Sequence, residues 1–269
     1  MNKQILIFLS TLLVTALFTA CGITSNIEPS ATEKPVEPHT TPYTEATVPK
    51  ATSEPTPTET EDVQYEGDAS SYYIDVVYAQ QIDRYYTALS EKWDDTAYLD
   101  HDMSALAARY YEENPLDNVG FTFMDLDGDG IWELIIGAIS AAEQDPLVFE
   151  IWALKDGEPV MLAQSGYHNR YYLQYAQEDD LWSVAYEAEN GAANHAVYYL
   201  NLVNGEFQVI QGVIFDMIAN EKAPWFMAYD LDWDVSNDMP ISEDTANAVI
   251  NAGRNTYSAT EYFPYCLYR

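Results

Sequence analysis

The chain has 269 residues and a lopsided charge, with 44 acidic against 11 basic residues and a formal net of −33. A surface this negative disfavours nucleic acid and anionic lipid headgroups, and it draws cations or cationic surfaces instead. There are only two cysteines, Cys21 and Cys266, so if Cys21 is modified no disulfide framework holds the fold together.

The first twenty residues read as a processing signal. Lys3 supplies a short positive start, residues 5–20 form an apolar run, and Thr19 and Ala20 place small residues before Cys21. The run is short for a membrane span of about 20 residues, and it fits a secretory signal peptide that ends at a lipidation cysteine. Residues 17–22, Leu-Phe-Thr-Ala-Cys-Gly, resemble the bacterial lipoprotein lipobox, with Phe18 where leucine is commoner. The resemblance implies a lipid on Cys21 and a chain anchored to the extracellular face of the cell membrane. Cys266 then has no intramolecular partner and reads as a small buried hydrophobe.

Residues 21–69 form a linker. Seven of the 13 prolines fall here, interleaved with Thr, Ser and Glu. Such a stretch lacks the apolar residues that would offset its ordering entropy, so it is expected to be disordered. Extended at about 3.1 Å per residue, it could reach on the order of 100 Å. Its role is that of a tether.

Residues 70–269 are long enough for one domain with a real core. From Glu66 onward there are 8 basic and 36 acidic residues, a net of −28. Ile74, Val77, Tyr78, Ile82, Tyr85, Tyr86, Leu89 and Trp93 follow steps of three and four, the stripe of one amphipathic helix. Ser70 or Ser71 can cap it, with Asp75 in its first turn. A shorter helix is expected over 103–112, ended by Asn114 and Pro115.

The period then changes to two. Strands are expected over 120–124 and 132–139 around an acidic loop, and over 147–154 and 159–163 around Lys155-Asp156-Gly157-Glu158. Two more pairs follow, 170–176 with 182–187 around residues 178–180, and 196–203 with 207–214 around Asn204-Gly205, a strong hairpin signal. Ser242 can cap a final helix through Val249 and Ile250, with Glu243 and Asp244 favourable at its start. The expected fold is α+β: an antiparallel β-meander sheet of seven or eight strands with N-terminal and C-terminal helices packed on it. No tandem repeat of fixed period is present.

Residues 124–137 read Met-Asp-Leu-Asp-Gly-Asp-Gly-Ile-Trp-Glu-Leu-Ile-Ile-Gly. Asp125, Asp127, Asp129 and Glu133 fall at positions 1, 3, 5 and 9 of a tight loop. Four carboxylates this close repel one another unless a hard cation lies between them. Gly128 and Gly130 permit the backbone to curl, and the carbonyl of Ile131 can add a further oxygen. The segment predicts bound Ca2+. A second alternating run, Asp230, Asp232 and Asp234, continues to Asn237 and Asp238, but Val235 stands where a loop glycine belongs. It is a candidate second metal site, set against an exposed acidic turn.

The first loop resembles the calcium-binding hairpin loop of FG-GAP and related propeller repeats, and the first half of an EF-hand or dockerin loop. Position 12 is Ile136, not the Glu or Asp that the helix-loop-helix families use, and the flanks are strands; the hairpin form fits better. More broadly, the Tyr-rich helix, this loop, and the segment Ile151-Trp152-Ala153-Leu154-Lys155-Asp156-Gly157 resemble a group of surface lipoproteins of gut-type Clostridia. That resemblance implies a lipobox, a Thr/Pro/Glu linker and one such loop, and no activity.

No metalloprotease helix, phosphate-binding glycine loop, dinucleotide fingerprint or nucleophile elbow occurs. His101, His168 and His195 have no spacing that compels catalysis, so no catalytic residue is assigned. Twenty tyrosines from Tyr72 onward and six tryptophans could form a ligand face, although each tyrosine pair reads first as one ring in the core and one at the rim. Two functions remain. One is a calcium-stabilised binding or interaction module for a carbohydrate or protein ligand at the cell surface. The other is an extracellular hydrolase of glycan or cell-wall polymer acting through paired carboxylates. A solute-binding lipoprotein fits poorly, because its alternating βα pattern is absent.

Overall fold

A computed structural model describes residues 69–110, 114–139, 146–176 and 181–269, all within one compact unit. The signal segment, Cys21, the linker up to residue 68 and residues 178–180 lie outside the described residues.

The first amphipathic stripe folds in two pieces. A turn of helix α1 (Ala69–Tyr72) passes into a π-helical turn (Tyr73–Val77), and helix α2 (Ala79–Glu91) follows. The sequence pattern suggested one helix. The break comes from an i→i+5 bond, Tyr78 N to Tyr73 O at 2.9 Å, which stacks residue 78 over residue 73. Both phenols then reach the same target: Trp132 N donates to Tyr73 Oη at 3.2 Å, and Tyr78 Oη donates to Trp132 O at 3.0 Å. Ile82, Tyr85, Ala88 and Leu89 form the buried face of α2.

Helix α3 (Asp95–Asp100), absent from the sequence reading, starts where the Asp94 carboxylate accepts from Ala97 N at 2.9 Å. The helix expected over 103–112 is a 3-10 helix, Ala105–Tyr110. Ala105, Leu106 and Ala107 are all buried, which a one-faced α-helix could not achieve. Pro115 does not simply stop a helix; it opens α4 (Pro115–Asn118), with Asn114 as its cap.

The eight expected strands are all present: β1 (Val119–Met124), β2 (Glu133–Ala138), β3 (Leu147–Lys155), β4 (Glu158–Gln164), β5 (Asn169–Ala176), β6 (Leu181–Glu189), β7 (Asn194–Val203) and β8 (Glu206–Asp216). Three short strands extend the edges: β9 (Trp225–Ala228), β10 (Met239–Pro240) and β11 (Phe263–Pro264). All pairings are antiparallel, in the order β10-β9-β8-β7-β6-β5-β3-β2-β1-β11, with β4 beside the far half of β3. Helix α5 (Glu243–Arg254) is capped as expected, the Ser242 hydroxyl accepting from Thr245 N at 3.1 Å.

Residues of α2 and α5 join one apolar cluster on a single face of the sheet. Among the described residues, strand and loop side chains without helices cover the other face. Ile135, Val148, Ile151, Leu173, Tyr198 and Ile214 pack there with Leu126, Trp233 and Val235 from loops. The sheet therefore curls on itself, although among the described residues no strand pair closes it. The β7–β8 turn meets the β1–β2 loop, Gly205 N donating to Asp127 Oδ2 at 3.2 Å, and Lys155 pairs with Glu206 at 3.1 Å across the same gap. Because both faces are covered, Tyr198 and Tyr199 are both buried, one on each side; the core-and-rim reading fits Tyr85 and Tyr86 better. Gly120 and Gly137 sit opposite each other, and a Cβ on Gly137 would run into the Tyr262 hydroxyl. That slot admits the Tyr262 ring.

Candidate metal centre

The β1–β2 hairpin carries the acidic loop at the end of the sheet where the β3–β4 and β7–β8 turns also gather. Gly128 and Gly130 have φ of +74° and +85°, a region in which L side chains are strained. The curl lets Asp125 organise the loop. Its Oδ1 accepts from Gly128 N at 2.7 Å and Asp129 N at 3.1 Å, and its Oδ2 accepts from Gly130 N at 3.0 Å.

One oxygen from each of Asp125, Asp127 and Glu133 lies within 4.8 Å of the others. Asp125 is exposed, Asp127 half-buried and Glu133 buried. Glu133 is fixed from behind, its Oε2 accepting from Leu126 N at 2.8 Å, while the Leu126 side chain packs into the sheet core. Burial pushes the Glu133 carboxyl up to about 7; the Leu126 N–H opposes this, and the Asp127, Asp129 and Asp125 charges add to it. A buried acid beside two carboxylates is what a divalent ion would neutralise. This group can hold a metal ion.

Asp129 Oδ1 accepts from Ile131 N at 2.7 Å, and Asp129 is not part of the three-residue group. Ile131 is exposed. Asp230, Asp232 and Asp234 form successive side-chain turns, accepting from Asp232 N, Asp234 N and Ser236 N at 3.3, 2.9 and 3.0 Å. Among the described residues their oxygens are not gathered into a ligand group. The run instead lies over the helix-free face, through Trp233 and Val235.

A second polar cluster had no sequence signal, because strand register and the end of α5 together assemble it. Between β5, β6 and β7, a pocket of about 80 Å³ is lined by His168, Arg170, Glu187, Glu189, His195 and Arg254. Arg254 grips Glu187 through Nε and Nη2 at 2.8 and 3.0 Å, and Tyr257 Oη donates to the same carboxylate at 2.8 Å. His195 stacks on Phe215 with ring centroids 4.7 Å apart, and burial lowers its pKa. His101 stacks on Trp93 at 4.5 Å. Cys266 is a free thiol, half-buried and not fully buried, with Asp117 raising its pKa.

No protein-family model, curated protein or solved structure matches this chain.

Proposed function

We propose that this protein is a lipid-tethered surface module, stabilised by calcium, that binds a ligand outside the cell. The observation that carries the reading is the convergence of Asp125, Asp127 and Glu133 on one hairpin. All three donors are hard carboxylate oxygens, which favours calcium, magnesium or manganese over softer metals. A flexible glycine-containing loop suits the irregular shell of 6 to 8 oxygens that calcium takes, whereas magnesium demands a near-ideal octahedron. The ion would then tie together two turns at one end of the sheet, because Asp127 also receives Gly205 N.

The hydrolase reading needs two carboxylates free to act as acid and base in a cleft. In the polar pocket, Glu187 is instead engaged by Arg254 and Tyr257. The binding reading asks less of the residues present.

Trp132 adjoins Glu133 in sequence, so terbium in the loop should emit when tryptophan is excited. The emission should fall on addition of calcium and be absent in Asp127→Ala. Terbium that binds without tryptophan-sensitised emission, or with equal emission in the variant, would place the ion elsewhere. The tether has its own test: Cys21→Ser should move the protein from the membrane fraction of an expressing bacterium to the soluble or secreted one. Retention of the variant in the membrane fraction would refute lipid anchoring through Cys21.

A further inference from the structure

The N-terminal turns, β1 and β11 enclose a second feature, an apolar groove of about 280 Å³. Ile74, Phe121, Phe123, Trp132 and Phe263 line it. The rings form a continuous row: Phe263 to Phe121 at 5.4 Å, Phe121 to Phe123 at 5.9 Å, and Phe123 to Trp132 at 6.3 Å. Phe263 is 41% exposed, although it lies in a strand paired to β1. Phe121 is buried at the base of the row, Phe123 and Trp132 are half-buried, and Phe263 is the exposed end; an apolar surface left partly open at a sheet edge is a candidate interaction site.

Size and charge narrow the occupant. The volume falls just under the range of about 300–1,000 Å³ usual for whole small-molecule ligands, so the groove suits one or two anchor side chains of a larger partner. Its polar rim consists of Ser70, Thr122 and the exposed Glu261. One wall, Trp132, belongs to the acidic loop, whose Asp125, Asp127, Asp129 and Glu133 keep a net negative charge even with a divalent ion bound. Among the described residues, no basic side chain lines the groove. We infer that this groove docks a basic protein segment that presents an apolar anchor residue, the anchor entering the aromatic row and its cationic neighbours meeting Glu261 and the loop. The inference rests on the reading of the domain as a binding module and names the class of its partner.

The probe is a fluorescent hexapeptide, Lys-Lys-Leu-Phe-Lys-Lys, titrated with the full-length protein in detergent, with Glu-Glu-Leu-Phe-Glu-Glu and methyl glucoside as comparison arms. The lysine peptide should bind with an affinity that falls as salt rises, and the glutamate peptide should bind at least tenfold more weakly. Phe263→Ser and Glu261→Lys should each weaken the lysine peptide at least tenfold; Glu261 is exposed, so that second variant tests the site without disturbing the fold. Equal affinity for both peptides, undiminished binding by Glu261→Lys, or displacement by methyl glucoside would overturn the proposal, the last in favour of a sugar face. Measurement in calcium and in chelator separates the two readings. Peptide binding in both conditions upholds the groove whatever the metal loop does, whereas calcium binding without peptide binding overturns the groove alone.

Discussion

Millimolar calcium is expected to raise the melting temperature of this protein, and Glu133→Gln is expected to remove that gain while raising the melting temperature in chelator. The ligand term is RT ln(1 + [L]/Kd), about 2.7 kcal/mol when calcium stands at a hundred times its Kd. For a domain near 200 residues, that corresponds to a shift of about 5–10 °C. The variant distinguishes a metal site from an ordinary acidic turn. Glutamine keeps an oxygen to accept from Leu126 N, so the loop retains its internal bond but loses one charged ligand.

The sign follows from linkage. The folded value of Glu133, about 7, lies above the ordinary 4.5. Without metal, the stability given by its protonated form is present below pH 4.5 and lost as pH rises through about 7. At pH 8, metal-free wild type therefore buries a charge beside Asp125 and Asp127, and the glutamine chain does not. Calcium reverses the order by supplying countercharge to wild type alone. Parallel melting curves for the two proteins, with and without calcium, would defeat the metal assignment.

Much of the sheet was legible because its turns carry their own chemistry. Asp156-Gly157 and Asn204-Gly205 both adopt positive φ at each residue, 55° and 82°, then 52° and 73°, as tight hairpins demand. Helix α5 was legible through its cap. The edge strands were not, since β10 and β11 are two residues each and both end in proline, too short for any alternation to register. The π turn was hidden for a related reason: Tyr73 and Tyr78 are five apart, a spacing that the 3.6-residue pattern does not read.

The metal loop was legible in outline and not in detail. Alternating aspartates can turn inward to an ion or back to their own chain, and both tendencies are local. Asp125 and Asp127 do both, each accepting from backbone N–H groups of the loop while one oxygen stays near Glu133, whereas Asp129 accepts from Ile131 N and is outside the group. The second run, with no glycine to relax its backbone, turns back three times. What decides between the outcomes is a distant partner. For the first loop it is the β7–β8 turn, 78 residues away, which becomes visible only after the sheet has curled.

Replacing Glu150 by glutamine is expected to change the pH dependence of folding more than its strength at any one pH. A charged residue inside the apolar run 147–154 was the one sequence clue to this site. A β-bulge explains its orientation: Ile136 pairs with Glu150 but Gly137 pairs with Val148, which leaves Phe149 without a partner on β2. Glu150 is 1% exposed beneath α2. Its oxygens accept from Ser104 N at 3.1 Å, Trp152 Nε1 at 2.9 Å and Gln164 Nε2 at 3.4 Å. Tyr85 and Tyr265 bring two more hydroxyls into the same buried region, neither in a well-aligned hydrogen bond, although Tyr85 is close enough to act on the carboxyl electrostatically. Burial raises the Glu150 pKa, and the Trp152, Tyr85 and Ser104 groups and the Arg84 charge only partly oppose it.

A raised carboxyl favours the folded state in its protonated form, so that contribution is present below about pH 4.5 and lost as pH climbs through the folded value. Glutamine cannot ionise, and its oxygen can still accept from Ser104 N. The difference in unfolding free energy, variant minus wild type, should therefore move in the variant's favour between pH 4.5 and 8, by about 1.4 kcal/mol for each unit by which the native carboxyl is raised. Repulsion among the other 35 acidic residues from Glu66 onward also grows with pH, but it is common to both chains and cancels in the difference. Chemical denaturation of both proteins in chelator across that range measures the effect without interference from the metal loop. A stability gap that stays constant with pH would mean that Glu150 is ionised throughout and compensated by its donors. Glu150→Leu supplies the upper bound, because it leaves the Ser104, Trp152 and Gln164 donors unpaired in the core, a loss of about 3 kcal/mol or more at every pH.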